Sequence, residues 1–477
     1  MRALRTLFFV VIIAGCATNP ATGRRQLMLM SEAQEIQIGR QTDAEIRKQM
    51  GIYNDPEVQQ YVSRVGQQLA RAAHRPNLPW TFAVVDESAV NAFALPGGFV
   101  YLTRGILPFL RDEAELAAVL GHEVGHVDAR HSAEAYSRQQ LAGGGLLVAQ
   151  ILAPEYGNLI GAGGGLAAQA ILLRYGREAE LESDRLGVGY ASKGGWQPLA
   201  MQGLLGTLAR LDEAQGSRRG IPNWALTHPP AADRVVKVNE VVTTAAAKGA
   251  TATNRQAFER VLDGLVFGDS REKGIVRGSE FVHPVLRFSL RFPNGWEIVN
   301  SNEQVVARER QTGSVAMLLE LAESRGSIEQ TARTDMAEAG LSEANGGRTR
   351  INGLDAYVGT YQGANNGTNI AVRAAYIRSG QYTYLLAGLS TASDFGRVER
   401  NFAQAIQSFR PLSAQEADRI QPNRVDFYTV RSGDSWDSIA RSVAGGHVKA
   451  STLAIMNGQE PGTTPRAGER IRIVVSG

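Results

Sequence analysis

Residues 121–131 read GHEVGHVDARH, three histidines and one glutamate within eleven positions. On an α-helix, at about 100° per residue, His122 and His126 lie only ~40° apart, so both imidazoles can reach one ion. With Glu123 directly after the first, the two histidines make a metal-protease signature. That is the chemistry of metal-assisted hydrolysis. His131 lies nine residues beyond His122, about 180° round a continuing helix, and reads as a surface group or a supporting neighbour rather than a ligand. A third ligand on this same stretch would need glycine three and histidine six residues after His126, where Ala129 and Ser132 stand.

The third donor must therefore come from another element. "YGREAELESDRLGVGY" (175–190) offers Glu178, Glu180, Glu182 and Asp184. On a helix, Glu180, Leu181, Gly187 and Val188 fall within about 60° of Asp184, and Glu178 and Glu182 fall outside that arc. Glu180 can complete a two-His, one-Glu zinc site with an open position for water. Asp184, one turn on, can orient a ligand histidine through its free ring N–H. A solvated acidic helix is the plainer alternative.

The helix that must carry the histidines is legible. Asp112 can accept from its first-turn N–H groups, Glu115 completes a capping-box pattern, and Leu116, Val119, Leu120 and Val124 supply apolar contacts. Gly121 and Gly125 each cost a helix interior up to ~1 kcal/mol relative to alanine. Such a cost implies close approach of another element, such as a substrate-bearing strand.

HEVGH followed by E-x-E-x-D-x-x-G (180–187) resembles the HtpX and CAAX prenyl-protease type of gluzincin, metallopeptidase family forty-eight. "NAFALPGG" (91–98) and "THPPAADR" (227–234) match two further blocks, and the periplasmic BepA-like branch, which lacks membrane spans, is the most similar. The resemblance covers roughly residues 30–245. Gly176 stands where the family usually has serine, and Ser183 where it usually has alanine. The resemblance implies that His122, His126 and Glu180 bind one Zn2+ per chain and that Glu123 is the catalytic base. It implies that Asn91, Ala92, Phe93, Ala94, Leu95 and Pro96 form an edge strand that pairs with extended protein substrates. It also places His228 near the metal, either stabilising the oxyanion or capping the zinc at rest, with Arg234 and Asp184 beside the ligands.

The remaining sequence suggests where such an enzyme works. "MRALRTLFFVVIIAGC" has a basic start, a short apolar run and small residues, the layout of a signal peptide (1–15) too short to span a bilayer. Cys16, the only cysteine, ends a stretch that resembles a lipobox. With Ala17 after it, the expectation is a lipid anchor in the periplasmic face of the outer membrane. Removing 1–15 takes away Arg2 and Arg5 and leaves 48 basic and 47 acidic side chains, with no nucleic-acid signal in that balance. The apolar stretch 141–173 is split by "APEYGN" into pieces short of the ~20 residues a span needs, so a buried or pocket-lining hairpin is favoured over membrane insertion.

The fold class expected is α+β. A mainly helical gluzincin protease domain with a small edge-strand sheet (16–250) precedes an α+β sandwich-like domain of unknown role (275–412). The latter contains "LRFSLRFPNGW", which is similar to PsbP-like domains. Residues 413–424 read as a linker. Residues 426–475, with a β-α-α-β order, resemble a LysM module, which implies peptidoglycan as a partner. The function expected is a lipid-anchored periplasmic zinc endopeptidase acting on misfolded or assembling envelope proteins. The alternatives are a proteolytically quiet chaperone or assembly factor, and a cell-wall hydrolase.

Overall fold

The computed structural model describes residues 16–141, 175–215, 224, 228, 231–246, 249–301, 304–310, 314–365 and 367–477. The signal peptide and all of the apolar stretch 141–173 except Leu141 lie outside these residues. Among the described residues no helix is long and apolar enough to cross a membrane. The chain divides into two compact units, Met1–Gly268 with Asn423–Gly477, and Asp269–Pro422.

The first unit begins with a hairpin of β1 (Cys16–Thr18) and β2 (Arg25–Leu27), followed by α1 (Glu32–Gln49) and α2 (Pro56–Ala72). Ser31 and Gln34 form a capping box on α1, and Asp55 caps α2 with Pro56 in its first turn. A three-stranded sheet follows, of β3 (Thr81–Val85), β4 (Ala92–Leu95) and β5 (Phe99–Thr103) in the order β3-β5-β4. The apolar runs at 81–85 and 99–102 form β3 and β5. Strand β4, within the 91–96 stretch for which the family resemblance implies an edge strand, turns into β5 through Gly97 and Gly98, whose φ of 84° and 105° suit glycine alone. This leaves β4 at an edge of the sheet, with all four of its residues buried.

Then come α3 (Glu113–Asp128), α4 (His131–Leu141), α5 (Arg177–Lys193), α6 (Ala200–Gln215), α7 (Ala231–Ala246), α8 (Arg255–Leu262) and the short β6 (Val266–Phe267). Every residue of α3 is buried, so it is a core helix rather than an amphipathic surface one. Asp112 caps it through the Glu115 N–H at 3.0 Å. The Glu115 carboxylate does not close the capping box. It accepts instead from the Arg111 N–H at 2.7 Å and from the Arg111 guanidinium.

The second unit holds a four-stranded sheet of β7 (Ile275–Arg277), β8 (Glu280–His283), β9 (Phe288–Arg291) and β17 (Arg410–Pro411). A seven-stranded antiparallel sheet comprises β10 (Glu297–Asn300), β11 (Gln304–Arg308), β12 (Ala316–Ala322), β13 (Ser342–Ile351), β14 (Leu354–Asn365), β15 (Thr368–Ser379) and β16 (Tyr382–Thr391). Its order is β10-β11-β12-β16-β15-β14-β13. Helices α9 (Ile328–Glu338) and α10 (Phe395–Ser408) pack on it, and Phe402 fills the space left by the absent side chain of Gly388. The segment expected as a linker instead forms α11 (Ala414–Arg419), because Ser413 and Glu416 make a capping box at its start.

The chain then returns to the first unit as β18 (Asn423–Thr429), α12 (Trp436–Ser438), α13 (Ala450–Met456) and β19 (Arg470–Val475), the strand-helix-helix-strand order expected. It does not stand apart as a module. β18 pairs with β6 as well as β19, and Leu453, Ile455 and Trp436 join the same core as Leu116 and Leu120. The buried Arg472 guanidinium donates to the carbonyls of Pro108, Arg111 and Met456, so a cation beside the β5–α3 connection ties the segment in place.

Candidate metal centre

Two helices meet face to face at the site. Gly121 and Gly125 of α3 lie against α5, where added Cβ atoms would come 3.0 Å from the carbonyl oxygens of Gly187 and Ser183. The element that approaches α3 is thus the helix bearing Glu180, not the strand the sequence suggested. The small residues let two backbones close so that side chains from both converge.

His122, His126, Glu180 and His228 converge on one point, fully buried, with one donor atom each within 4.8 Å of all the others. His122 Nε2 is 3.0 Å from His126 Nε2 and 3.4 Å from His228 Nδ1. The Glu180 carboxylate lies 3.6 Å from His122 Nε2, 3.3 Å from His126 Nε2 and 2.9 Å from His228 Nδ1. Imidazole nitrogen and carboxylate oxygen are donors zinc takes at about 2.0–2.2 Å, which gives tetrahedral edges of about 3.4 Å. The five separations, 2.9–3.6 Å, fit that donor set.

The electrostatics suit ligation too. Burial holds His126 well below the ordinary histidine range and lowers His122 as well, so both rings are neutral. Burial alone would raise Glu180, but His228, His126 and Arg234 outweigh it and hold the carboxyl well below its usual range. For His228 burial works downward, yet the facing Glu180 and Glu123 carboxylates raise it.

Supporting groups surround the donors. Asp184 Oδ1 sits 2.9 Å from His122 Nδ1, close enough to orient the ring. Arg234, from α7, donates to both Asp184 oxygens and lies 2.6 Å from Glu180 Oε2. Glu123 is fully buried, and among the described residues neither carboxylate oxygen has a hydrogen-bond partner. The group facing it is His228 Nε2 at 3.7 Å. Burial pushes the Glu123 carboxyl up to about 7, against the downward pull of His228.

Of the two readings of His131, a surface group or a supporting neighbour, the geometry favours the second: it is buried, and its Nδ1 lies 2.9 Å from His126 Nδ1. The 180° offset assumed one continuous helix, whereas α3 ends at Asp128 and Arg130 turns with φ 59°. The Arg130 guanidinium, tied to Glu35 and to the Met30 carbonyl, holds that turn.

Two residues escaped the sequence reading. Tyr175 stacks on the His126 ring at 3.8 Å, with its hydroxyl 2.8 Å from Ser132 Oγ. Trp224 stacks on His228 at 4.0 Å, and the His228 N–H donates to the Trp224 carbonyl. The i, i+4 spacing of Trp224 and His228 in "WALTH" was the available signal. Of the site residues expected from sequence, His122, Glu123, His126, Glu180, Asp184, His228 and Arg234 come together here. Ala92–Leu95 are on β4, with Asn91 and Pro96 flanking it.

Residues 56–242 match the model of Peptidase family M48. The beta-barrel assembly-enhancing protease of Escherichia coli K12 is 31% identical over 220 residues, 44% of this chain and 44% of that protein. The mitochondrial metalloendopeptidase OMA1 of Schizosaccharomyces pombe is 33% identical over 192 residues, 40% of this chain and 55% of that protein. The chain spans about half the length of the curated relatives it matches. Among solved structures, cyanobacterial PsbP from Synechocystis matches 29% of this chain and 95% of its own at 15% identity and a TM-score of 0.24, too slight to carry an argument.

Proposed function

Residues 56–242 form a peptidase M48 domain, and from that premise we propose that this protein is a zinc-dependent endopeptidase of the cell envelope. In this reading it is lipid-anchored through Cys16 in the periplasm and hydrolyses peptide bonds of misfolded or assembling envelope proteins. The observation that supports it most is the buried Glu123 carboxylate, without a hydrogen-bond partner among the described residues, beside a four-donor cluster. Similarity to a beta-barrel assembly-enhancing protease supports the substrate class.

His122, His126 and Glu180 would hold the zinc. When bound, zinc supplies Lewis-acid activation of water and of a scissile carbonyl. Glu123 takes the proton of the attacking water and delivers it to the leaving amide nitrogen. Strand β4, at the edge of its sheet, would offer that edge to an extended substrate backbone. His122 keeps its orientation through Asp184, which Arg234 clamps in turn. The strand-helix-helix-strand segment, read as a LysM-like module, would direct the enzyme to peptidoglycan.

His228 is read as a gate. Its Nδ1, 2.9 Å from Glu180 Oε1, would take a donor position at rest, and Trp224 stacked on the ring supports that reading. That same observation favours a second reading, a proteolytically quiet assembly factor that uses the site only for binding. Casein cleavage by wild type and by Glu123→Gln, with zinc content measured in both, tests the proposal. Activity lost with zinc retained is the expected result. Equal cleavage by the two proteins, or none by wild type and none by His228→Ala, would overturn the protease reading.

A further inference from the structure

We propose that His131 is a positioning residue that fixes the tautomer and ring orientation of His126, with Glu182 as its own support. This rests on the reading of His126 as a ligand. The two Nδ1 atoms face each other at 2.9 Å with ring planes at 72°. One of them must donate and the other accept. His126 presents Nε2 to the donor cluster, so its proton sits on Nδ1 and is donated to His131 Nδ1. The His131 proton then sits on Nε2, which faces the buried Glu182 carboxylate at 3.3 Å. Ser183 Oγ lies 3.3 Å from the same His131 Nδ1, the only hydroxyl near it among the described contacts.

The chain of protons runs in one direction only. Were Glu182 removed, His131 could carry its proton on Nδ1 instead, setting donor against donor and turning His126 out of register. Glu182 lies outside the ligand arc of α5, on the side facing α4, which is why it serves His131 rather than the metal. Arg24, from the β1–β2 hairpin, reaches Glu182 at 3.7 Å, but it is 42% exposed and at that length contributes little. The same hairpin meets the end of α3 more firmly, since Asn19 and Gln26 both donate to the Ala129 carbonyl. The support of His126 thus runs through His131 to Glu182, which also has a hydrogen bond with the Thr22 side chain of the hairpin.

The test is zinc affinity of the intact chain by chelator competition, with the visible spectrum of the cobalt-substituted protein as a second readout. His131→Ala is expected to raise the zinc Kd about 10- to 100-fold and to shift the cobalt bands. His131→Asn, whose Oδ1 can accept from His126, is expected to recover most of the affinity. Glu182→Ala is expected to weaken binding in the same direction by less, and the double variant no more than His131→Ala alone. Unchanged affinity in both single variants, or full additivity in the double, would overturn the proposal. If His131→Ala does not fold, Glu182→Ala decides alone, a raised Kd supporting the proposal and an unchanged one overturning it. His126→Ala separates the two claims, since unchanged affinity there defeats the ligand reading and the relay with it, whereas lost affinity there with unchanged affinity in His131→Ala and Glu182→Ala defeats the relay alone.

Discussion

His228 Nδ1 lies 2.9 Å from Glu180 Oε1, although forty-eight residues separate them in the chain. Glu180 is carried by α5, and His228 lies three residues before the start of α7, outside both ligand helices. A donor outside those helices can leave the cluster without unpacking the core. His228→Ala is therefore expected to keep fold and zinc and to raise casein cleavage by about tenfold, as removal of an occluding donor should. A deep loss would move His228 to a transition-state role. Rates equal to wild type on casein and on a short peptide, with zinc affinity unchanged, would sink both versions.

The zinc stoichiometry follows from the donor set. Purified mature protein is expected to carry about one zinc per chain. His122→Ala or Glu180→Ala should strip it, and a chelator should lower the thermal midpoint of wild type but not of these variants. Zinc retained in full by Glu180→Ala, measured by elemental analysis, would remove Glu180 from the ligand set.

Two glycines of the same helix should respond oppositely to alanine. A Cβ at Gly187 would come 2.8 Å from His122 N, against backbone that cannot yield cheaply, whereas nothing lies within 4 Å of one at Gly189. Gly187→Ala is expected to cost about 1–3 kcal/mol and to weaken zinc binding by spreading the ligand helices. Gly189→Ala is expected to stabilise the protein by up to ~1 kcal/mol. Urea unfolding of the pair checks this, and similar effects at both positions would contradict the packing argument.

His283 gives the second unit a pH dependence. Burial against Phe281 and Phe288 lowers its pKa to about 4, while its ring accepts from the Leu286 N–H. Its folded value is below the ordinary ~6.5, so the unfolded chain binds the extra proton first. Its contribution to stability is complete above about pH 6.5, is lost as the pH falls toward 4, and amounts to roughly 3 kcal/mol. His283→Asn keeps an acceptor and cannot titrate. It should lose less stability than wild type between pH 7 and pH 4, measured by denaturant unfolding at both.

Anchoring has its own test. Cys16→Ser is expected to move the protein from the membrane fraction to the soluble periplasmic one, because the lipidated cysteine carries the attachment. Persistent membrane association of that variant would point instead to the apolar stretch 141–173.

What the amino-acid sequence determined by itself was local and periodic. The i, i+4 histidines, the Glu180–Asp184 face, the Asp112 cap and the strand-like runs at 81–85 and 99–102 follow from angles and side-chain chemistry within one element. Apolar and aromatic runs such as AMLLELA of β12 and YTYLLAGLST of β16 mark strands of the second unit in the same local way. β13 escaped because SEANGGRTRI has no alternation, and nine of its ten residues are exposed at the sheet edge. Tertiary structure alone decided what depends on where one element stops and another approaches. His131 reached His126 because a non-glycine residue, Arg130, turns at positive φ, which no periodicity announces. The reason for Gly121 and Gly125 lay in α5, more than fifty residues away in the chain. Residues 423–477 joined the first unit because β18 found β6 and Arg472 found three carbonyls, long-range pairings that leave no signature in the segment's own residues.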